Sequence, residues 1–95
     1  MKYQWDESKR NSNIAKHGVD FVDAAAVFSD DERIETVDTR QDYGEQRLQT
    51  IGMVEPNILF VVFTMRDKGE TRRIISARMA NSNERKLYYS MLAGN

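Results

Sequence analysis

The chain alternates between stretches with the apolar spacing of a helix and stretches with that of a strand. Residues 2–5 predict a short strand. Asp6 is a suitable N-cap for a polar helix that runs to His17, where Gly18 supplies a left-handed stop. Asp20 begins a second predicted helix. Its apolar stripe follows the i, i+3, i+4, i+7 spacing and consists of Phe21, Ala24, Ala25 and Phe28.

From residue 33 onward the spacing is that of β-strands. Four strands are predicted, at residues 33–37, 46–54, 58–65 and 71–79. The second of them places Leu48 on one face and Ile51 and Met53 on the other. The third is almost wholly apolar, which indicates a central strand covered on both faces.

Short polar segments join these strands, and a helix follows the last one. Residues 38–44 predict a loop, Pro56-Asn57 a turn, and residues 67–70 a hairpin turn in which Gly69 can adopt a positive φ. Asn81 caps the final helix, with Glu84 placed to complete a capping box. The predicted buried face of that helix is Leu87, Tyr88, Met91 and Leu92.

The predicted order is therefore β-α-α-β-β-β-β-α within one domain of 95 residues. Consecutive strands joined by tight turns pair in antiparallel fashion, and the helices lie at the two ends of the sequence. This pattern predicts an α+β fold: a small antiparallel sheet with two N-terminal helices and one C-terminal helix.

Composition excludes several classes of site. The chain has no cysteine, which excludes a disulfide scaffold, a thiolate zinc site and a cysteine nucleophile. His17 is the only histidine, so a multi-histidine metal site is excluded as well. No apolar run reaches the length of a membrane helix, and the N-terminus lacks the apolar stretch of a secretory signal. We expect a soluble, cytoplasmic protein that needs no cofactor.

The net charge of −1 conceals an uneven distribution of charged residues. Residues 1–31 carry four Lys/Arg and six Asp/Glu, and residues 32–65 carry three and six. Residues 66–86 carry seven and three, which makes this segment basic. Such a segment is typical of a surface that binds a phosphate-bearing or acidic partner, although a solvated sheet face has the same composition.

The last predicted strand carries most of these basic side chains. Regular alternation places Arg72, Ser76 and Arg78 on one face and Arg73 on the other, and Arg66 returns to the same region through the hairpin. Arginine suits a phosphate site because its planar guanidinium group binds two oxygens and stays charged. The alternative is that these arginines are ion-paired with the nearby acids Asp67, Glu70 and Glu84.

Three further residues are candidates for catalysis. Glu45 precedes Arg47 at the start of a strand, where the pair can act as general base and anion-binding group or form an ordinary salt bridge. His17 is a natural proton carrier near neutral pH, but a histidine in a last helical turn also stabilises the helix dipole. Lys16 beside it is either a phosphate contact or a solvated lysine.

In chain order, these signals resemble the BrnT family of toxins. The N-terminal part of the resemblance is carried by Trp5-Asp6-Glu7-Ser8-Lys9, Asn13, Lys16-His17-Gly18-Val19, Phe21, Ala24 and Val27-Phe28. The later part is carried by Gly44-Glu45-x-Arg47, Ile51-Gly52, Arg73-Ile74-Ile75-Ser76-Ala77-Arg78, Ala80 and Glu84-Arg85. Gln46 and Leu48 depart from the family pattern, which has an acid and an aromatic residue near Glu45.

The resemblance implies a fold similar to that of RelE-type ribonuclease toxins and cleavage of RNA without a metal ion. It also implies neutralisation by BrnA, a DNA-binding antitoxin with a ribbon-helix-helix element, in a complex that represses its own operon. It identifies Glu45, Arg47, Arg66, Arg73, Ser76 and Arg78 as the main functional residues, followed by Lys16 and His17. With Arg72 as an additional RNA contact, these residues form the predicted site.

Two functional hypotheses follow. The first is an endoribonuclease that arrests growth, in which arginines hold the scissile phosphate and Glu45 or His17 moves protons. The second is a non-catalytic binding module whose basic surface docks an acidic antitoxin or DNA.

Overall fold

A computed structural model describes residues 1–94. The strands are β1 (Lys2–Gln4), β2 (Ile34–Asp38), β3 (Arg47–Val54), β4 (Asn57–Arg66) and β5 (Thr71–Met79). The helices are α1 (Glu7–His17), α2 (Phe21–Ala24) and α3 (Ser82–Leu92). Two 3-10 turns, Ala25–Ser29 and Asp67–Gly69, complete the regular structure. The architecture is α+β, as expected from the sequence.

The five strands form one mixed sheet in the order β1-β5-β4-β3-β2. Strands β2 to β5 pair in antiparallel fashion, but β1 runs parallel to β5. The prediction of an antiparallel sheet is therefore wrong for β1. Its premise was that tight turns join neighbouring strands, and that premise fails for β1, which pairs with the strand most distant from it in sequence.

The predicted signals at the ends of α1 are confirmed. The Asp6 carboxylate accepts a hydrogen bond from the Lys9 backbone N–H at 3.0 Å, and Gly18 ends the helix with φ 71°. The second helix is short, because α2 continues directly as the first 3-10 turn. Phe21, Ala24 and Phe28 are buried as predicted.

The sheet has a hydrophobic core on each face. On the first face, α1, α2 and the first 3-10 turn cover a core to which β4 contributes Leu59, Val61 and Phe63. On the second face, Ile58, Phe60 and Val62 pack in a core that includes Tyr88 of α3. β4 is thus buried on both faces, which confirms its prediction as a central strand.

A β-bulge in β5 determines which of its side chains share a face. Ser76 lies opposite Val62 and Ile74 lies opposite Phe63, so Ile75 is an extra residue without a partner on β4. Arg72 and Ile74 therefore belong to the first face, while Ser76 and Arg78 belong to the second. The predicted common face of Arg72, Ser76 and Arg78 is wrong, because that prediction assumed an unbroken alternation along the strand.

Beyond β1, a side chain from α1 pairs with the outer edge of β5. Asn13 is 7% exposed, and its amide group donates to the backbone oxygen of Ala77 and accepts from the Ala77 N–H. The same amide nitrogen donates to the backbone oxygen of Val19. Asn13 thus satisfies backbone groups of the strand edge and of the segment after α1.

The final helix contributes one buried side chain to the core on the second face. Asn81 and Glu84 form the predicted capping box. Tyr88 is 3% exposed, and its hydroxyl group donates to the Asp30 carboxylate at 2.6 Å. The prediction that Leu87, Met91 and Leu92 are also buried is wrong, since they are 42–50% exposed. Tyr88 is the buried residue of α3, and these neighbours lie to either side of its contact. Within residues 1–94, no helix is long and apolar enough to cross a membrane.

Candidate active site on the arginine face

The second face of the sheet carries a group of arginines that we call the arginine face. The bulge at Ile75 places Arg73 and Arg78 on it, since they lie opposite Thr64 and Phe60, which are four residues apart on β4. The arginines that the strands and the loop after β2 contribute to this face are Arg40, Arg47, Arg66, Arg73 and Arg78.

Three of these arginines surround Thr64, a buried residue near the end of β4. Arg73 is its partner on β5, Arg66 lies two residues further along β4, and Arg47 begins β3 on the other side. The Thr64 hydroxyl group donates to the backbone oxygen of Gln46 at 2.7 Å, which joins the two strands beside Arg47. Arg47 and Arg73 are thus separated by two strand spacings, or about 10 Å.

Glu45 is the acid of this cluster. Its carboxylate accepts a hydrogen bond from Arg66 Nη2 at 2.9 Å and lies 3.5 Å from Arg47 Nε. Arg47 Nε is buried and lacks a hydrogen-bond acceptor within the described part of the chain. The Arg47 guanidinium group lies over the ring of Tyr43, 4.0 Å from its centroid.

Arg73 has a neutral partner. Its Nη1 donates to the side-chain oxygen of Gln4 at 2.7 Å, and it has no ion pair with any of residues 1–94. Gln4 lies directly beside Arg73 in the parallel pair of β1 and β5. The short first strand therefore orients this guanidinium group through a neutral partner, and the Asp6 carboxylate attracts it electrostatically without forming an ion pair.

Arg78 is held at the opposite end of the face. It donates two hydrogen bonds to Glu84, at 2.8 and 2.9 Å, and its guanidinium group lies 4.1 Å from the centroid of the Phe60 ring. Burial acts to raise the pKa of Glu84, but hydrogen bonds from Arg78 and the Asn81 backbone lower it below its ordinary value. The alternative of internal ion pairing is thus correct for Arg78.

The arginine face has more arginines than carboxylates that are ion-paired with them. Three carboxylates form these ion pairs: Asp38 pairs with Arg40, Glu45 with Arg66 and Arg47, and Glu84 with Arg78. Arg40 and Arg78 each have a carboxylate of their own, whereas Arg47 and Arg66 have one between them. Near Thr64, Arg47 and Arg66 share Glu45, and Arg73 has no ion pair with any of residues 1–94, so this is where the sheet can bind an anion.

A family model described as the ribonuclease toxin BrnT of type II toxin–antitoxin systems matches residues 5–84. The chain belongs to the BrnT family. The matched segment contains all the site residues predicted from the sequence, from Lys16 to Arg78. No curated protein matches the sequence.

The structure brings most of the site residues expected for a BrnT protein onto one surface. Glu45, Arg47, Arg66 and Arg73 form the cluster around Thr64, and Arg78 lies on the same face. Arginines from β3, β4 and β5 thus lie on the same surface as Glu45.

Lys16, His17 and Ser76 lie together at a different place. They line a cavity of about 200 Å³ between α1 and the bulged edge of β5, together with Lys9, Ser12, Asn13 and Ile75. Lys16 and His17 occupy the last turn of α1, so the contacts place them in this edge cavity and not beside Glu45. Ser76 borders both regions, because the bulge puts it on the arginine face at the strand edge.

Arg72 lies on the first face of the sheet, away from the arginine face. Its guanidinium group is 4.2 Å from the centroid of the Phe28 ring, and its Nη1 donates to the Tyr3 hydroxyl oxygen at 3.1 Å. These contacts give Arg72 a role in packing, which the sequence pattern did not predict.

Sequence reasoning overlooked Asp38, Arg40 and Tyr43, which it assigned to a polar loop. The Asp38 carboxylate is buried, and hydrogen bonds from Arg40, the largest effect, hold its pKa well below the ordinary range. Tyr43 Oη also donates to this carboxylate, at 3.1 Å. Periodicity gives no signal for such a group, because its members come from a strand end and an irregular loop.

Proposed function

We propose that this BrnT family member is a metal-independent endoribonuclease toxin with a RelE-like fold, acting in the cytoplasm to arrest growth. The observation that carries this proposal is the cluster around Thr64, in which Arg47 and Arg66 lie next to Glu45 and Arg73 lies opposite Thr64 on β5. This arrangement supplies a proton acceptor and positive charges on one region of the sheet surface.

In the proposed reaction, Glu45 takes the proton of a ribose 2′-hydroxyl group. The 2′-oxygen then attacks the adjacent phosphorus, and the bond from phosphorus to the 5′-oxygen breaks. The products are a 2′,3′-cyclic phosphate and a 5′-hydroxyl end, with water protonating the leaving oxygen. The negative charge that develops on the phosphate is stabilised by Arg47, Arg66 and Arg73.

The remaining predicted residues serve RNA binding in this proposal. Arg78, held by Glu84, binds a neighbouring phosphate along the face. Lys16, His17 and Ser76 bind the strand where it crosses the edge of β5, because the cavity that they line is cationic. His17 therefore has a binding role here, although its imidazole group was an equally good proton carrier on sequence grounds.

The proposed partner is a BrnA-type antitoxin. Its carboxylates or apolar side chains would cover the arginines that otherwise bind RNA, since the same positively charged groups attract both ligands. The toxin would contact operator DNA only indirectly, through the ribbon-helix-helix element of the antitoxin.

The test is cleavage of RNA by the purified protein in the presence of EDTA. We expect products with 2′,3′-cyclic phosphate ends, and we expect Arg73→Ala to slow this cleavage about 100-fold and to relieve the growth arrest on induction. A folded protein that binds RNA or antitoxin tightly but leaves the RNA intact would instead establish the non-catalytic binding module. Activity that disappears with EDTA and returns with a divalent cation would contradict metal independence.

A further inference from the structure

Asp38 ends β2 with a carboxylate that lies beneath the loop leading to Glu45. Its side chain is fully buried, and it accepts hydrogen bonds from the backbone N–H, Nε and Nη2 of Arg40 at 3.1, 2.9 and 2.8 Å. The Tyr43 hydroxyl group donates to the same carboxylate at 3.1 Å. A buried ionised group with this many donors fixes the positions of the residues that donate to it.

One set of these contacts leads to the Thr64 cluster. Tyr43, held through its hydroxyl group, presents its ring to the Arg47 guanidinium group at 4.0 Å. Arg47 in turn lies 3.5 Å from Glu45, whose other oxygen is bound by Arg66. The positions of Glu45 and Arg47 therefore depend on Tyr43, and that of Tyr43 depends on Asp38.

The second set of contacts leads to the other end of the arginine face. Arg40, bound by Asp38 through both Nε and Nη2, places its guanidinium group 6.0 Å from the centroid of the Phe60 ring. Arg78 lies over the same ring at 4.1 Å. Asp38 is thus connected to both halves of the face, although it lies beneath the surface that RNA would contact.

From these contacts we infer that Asp38 is a positioning residue for RNA cleavage, which acts by ordering residues 39–46 and thereby holding Glu45 and Arg47 in their reactive geometry. The inference rests on the proposed function, since it concerns the rate of the proposed reaction. It assigns Asp38 no contact with substrate.

A purely electrostatic role and a loop-ordering role for Asp38 predict different cleavage rates for Asp38→Asn. The substitution removes a negative charge beneath a cationic surface, so electrostatics alone would tighten RNA binding and leave cleavage intact. If Asp38 orders the loop, Asp38→Asn should disorder it. The new amide nitrogen cannot accept a hydrogen bond from Arg40, and the single remaining oxygen cannot accept from both Arg40 and Tyr43. The cleavage rate then falls although the affinity for RNA does not.

The experiment measures these two quantities separately on the full chain. Single-turnover cleavage at saturating RNA gives the rate, and fluorescence anisotropy with an RNA carrying 2′-deoxy residues, which cannot react, gives the affinity. We expect Asp38→Asn to slow cleavage about 10- to 100-fold with unchanged or tighter binding, the size of effect typical of misplaced catalytic groups.

Asp42→Asn is the matched control. It removes one negative charge from the same loop, at an exposed side chain whose only described contact is with the Gly44 backbone N–H. We expect its cleavage rate to stay within about twofold of wild type. Equal rates for Asp38→Asn and Asp42→Asn would overturn the inference.

Tyr43→Phe covers the case in which Asp38→Asn does not fold. It keeps the ring beneath Arg47 but removes the hydrogen bond to Asp38, so we expect a smaller loss of rate with unchanged affinity. A wild-type rate in this variant would overturn the inference.

Amide hydrogen exchange over residues 39–46 provides a readout independent of activity, and unchanged protection in both variants would contradict the ordering role. Absence of cleavage by the wild-type protein would reject the proposed function alone.

Discussion

Arg73 and Arg78 are five residues apart on β5, and yet they lie on the same face of the sheet. A regular strand would place them on opposite faces, because side chains alternate with a period of two. Ile75, the extra residue in the bulge, shifts the alternation by one position, so both side chains point to the same face. The BrnT motif from Arg73 to Arg78 thus depends on a local irregularity for its two arginines to reach one surface.

Deletion of Ile75 provides a direct test of this geometry. The shortened strand would pair regularly, with Ile74 opposite Phe63 and Ser76 opposite Val62, so every remaining side chain keeps its face. We expect the variant to fold, with a lower melting temperature because Ile75 packs against the second core, and to retain RNA binding. Circular dichroism and anisotropy measure both properties.

The control is deletion of Val61 from β4, a regular central strand. There the loss of one residue reverses the faces of half the strand and exposes its core side chains, so we expect an unfolded protein. If both deletions are equally damaging, Ile75 is not the bulged residue.

Arg72→Ala and Arg73→Ala form a matched pair, since these adjacent residues point to opposite faces. Loss of Arg73 removes a charge with no internal ion pair from the proposed site, and we expect about a 100-fold slower cleavage with little change in stability. Loss of Arg72 removes its contacts with Phe28 and Tyr3, so we expect near-normal cleavage and a stability lower by about 1 kcal/mol. Single-turnover rates and urea unfolding measure the two effects, and the reverse pattern would mean that the faces are assigned wrongly.

Local sequence signals predicted the ends of elements well. Asp6, Gly18 and the Asn81–Glu84 capping box act within one helical turn, so neighbouring residues suffice to identify them. The two-sided burial of β4 was equally accessible, because a long apolar strand can only be central. Each of these features is determined by residues that lie a few positions apart in the sequence.

Features that depend on distant parts of the chain could not be predicted. The bulge at Ile75 results from the register between β4 and β5, and the parallel position of β1 results from how the whole sheet is assembled. The role of Asp38 likewise needs the folded loop that brings Arg40 and Tyr43 to one carboxylate. For the site, sequence therefore identified most of the arginines but not how they are positioned.

Asn13→Ala should reveal how much the edge of β5 depends on one amide group. The substitution leaves the N–H and C=O groups of Ala77 and the C=O group of Val19 without their side-chain partner. We expect a loss of about 2–4 kcal/mol in the free energy of unfolding, because these groups are buried. Asn11→Ala, at an exposed position of the same helix, should change it by less than about 0.5 kcal/mol. Urea denaturation measures both, and similar values for the two variants would exclude a structural role for the Asn13 amide.

The ion pair between Arg10 and Asp20 predicts a specific dependence of stability on pH. Two hydrogen bonds from Arg10, at 2.8 and 2.9 Å, together with one from the Val22 backbone, lower the pKa of Asp20 to about 2. In the unfolded chain this carboxyl group titrates at about 3.9. The folded state therefore binds the proton less readily, so the stabilisation is complete above about pH 5 and is lost as the pH falls from 4 towards 2.

Asp20→Asn keeps a good N-cap for α2 but removes the charge, so its melting temperature should be lower than that of wild type at pH 7 and approach it near pH 2. In the Arg10→Met background, Asp20→Asn should lower the melting temperature at pH 7 by less than it does in the wild-type background. If the difference in melting temperature between wild type and Asp20→Asn stays constant from pH 7 to pH 2, the pair does not act through its charge.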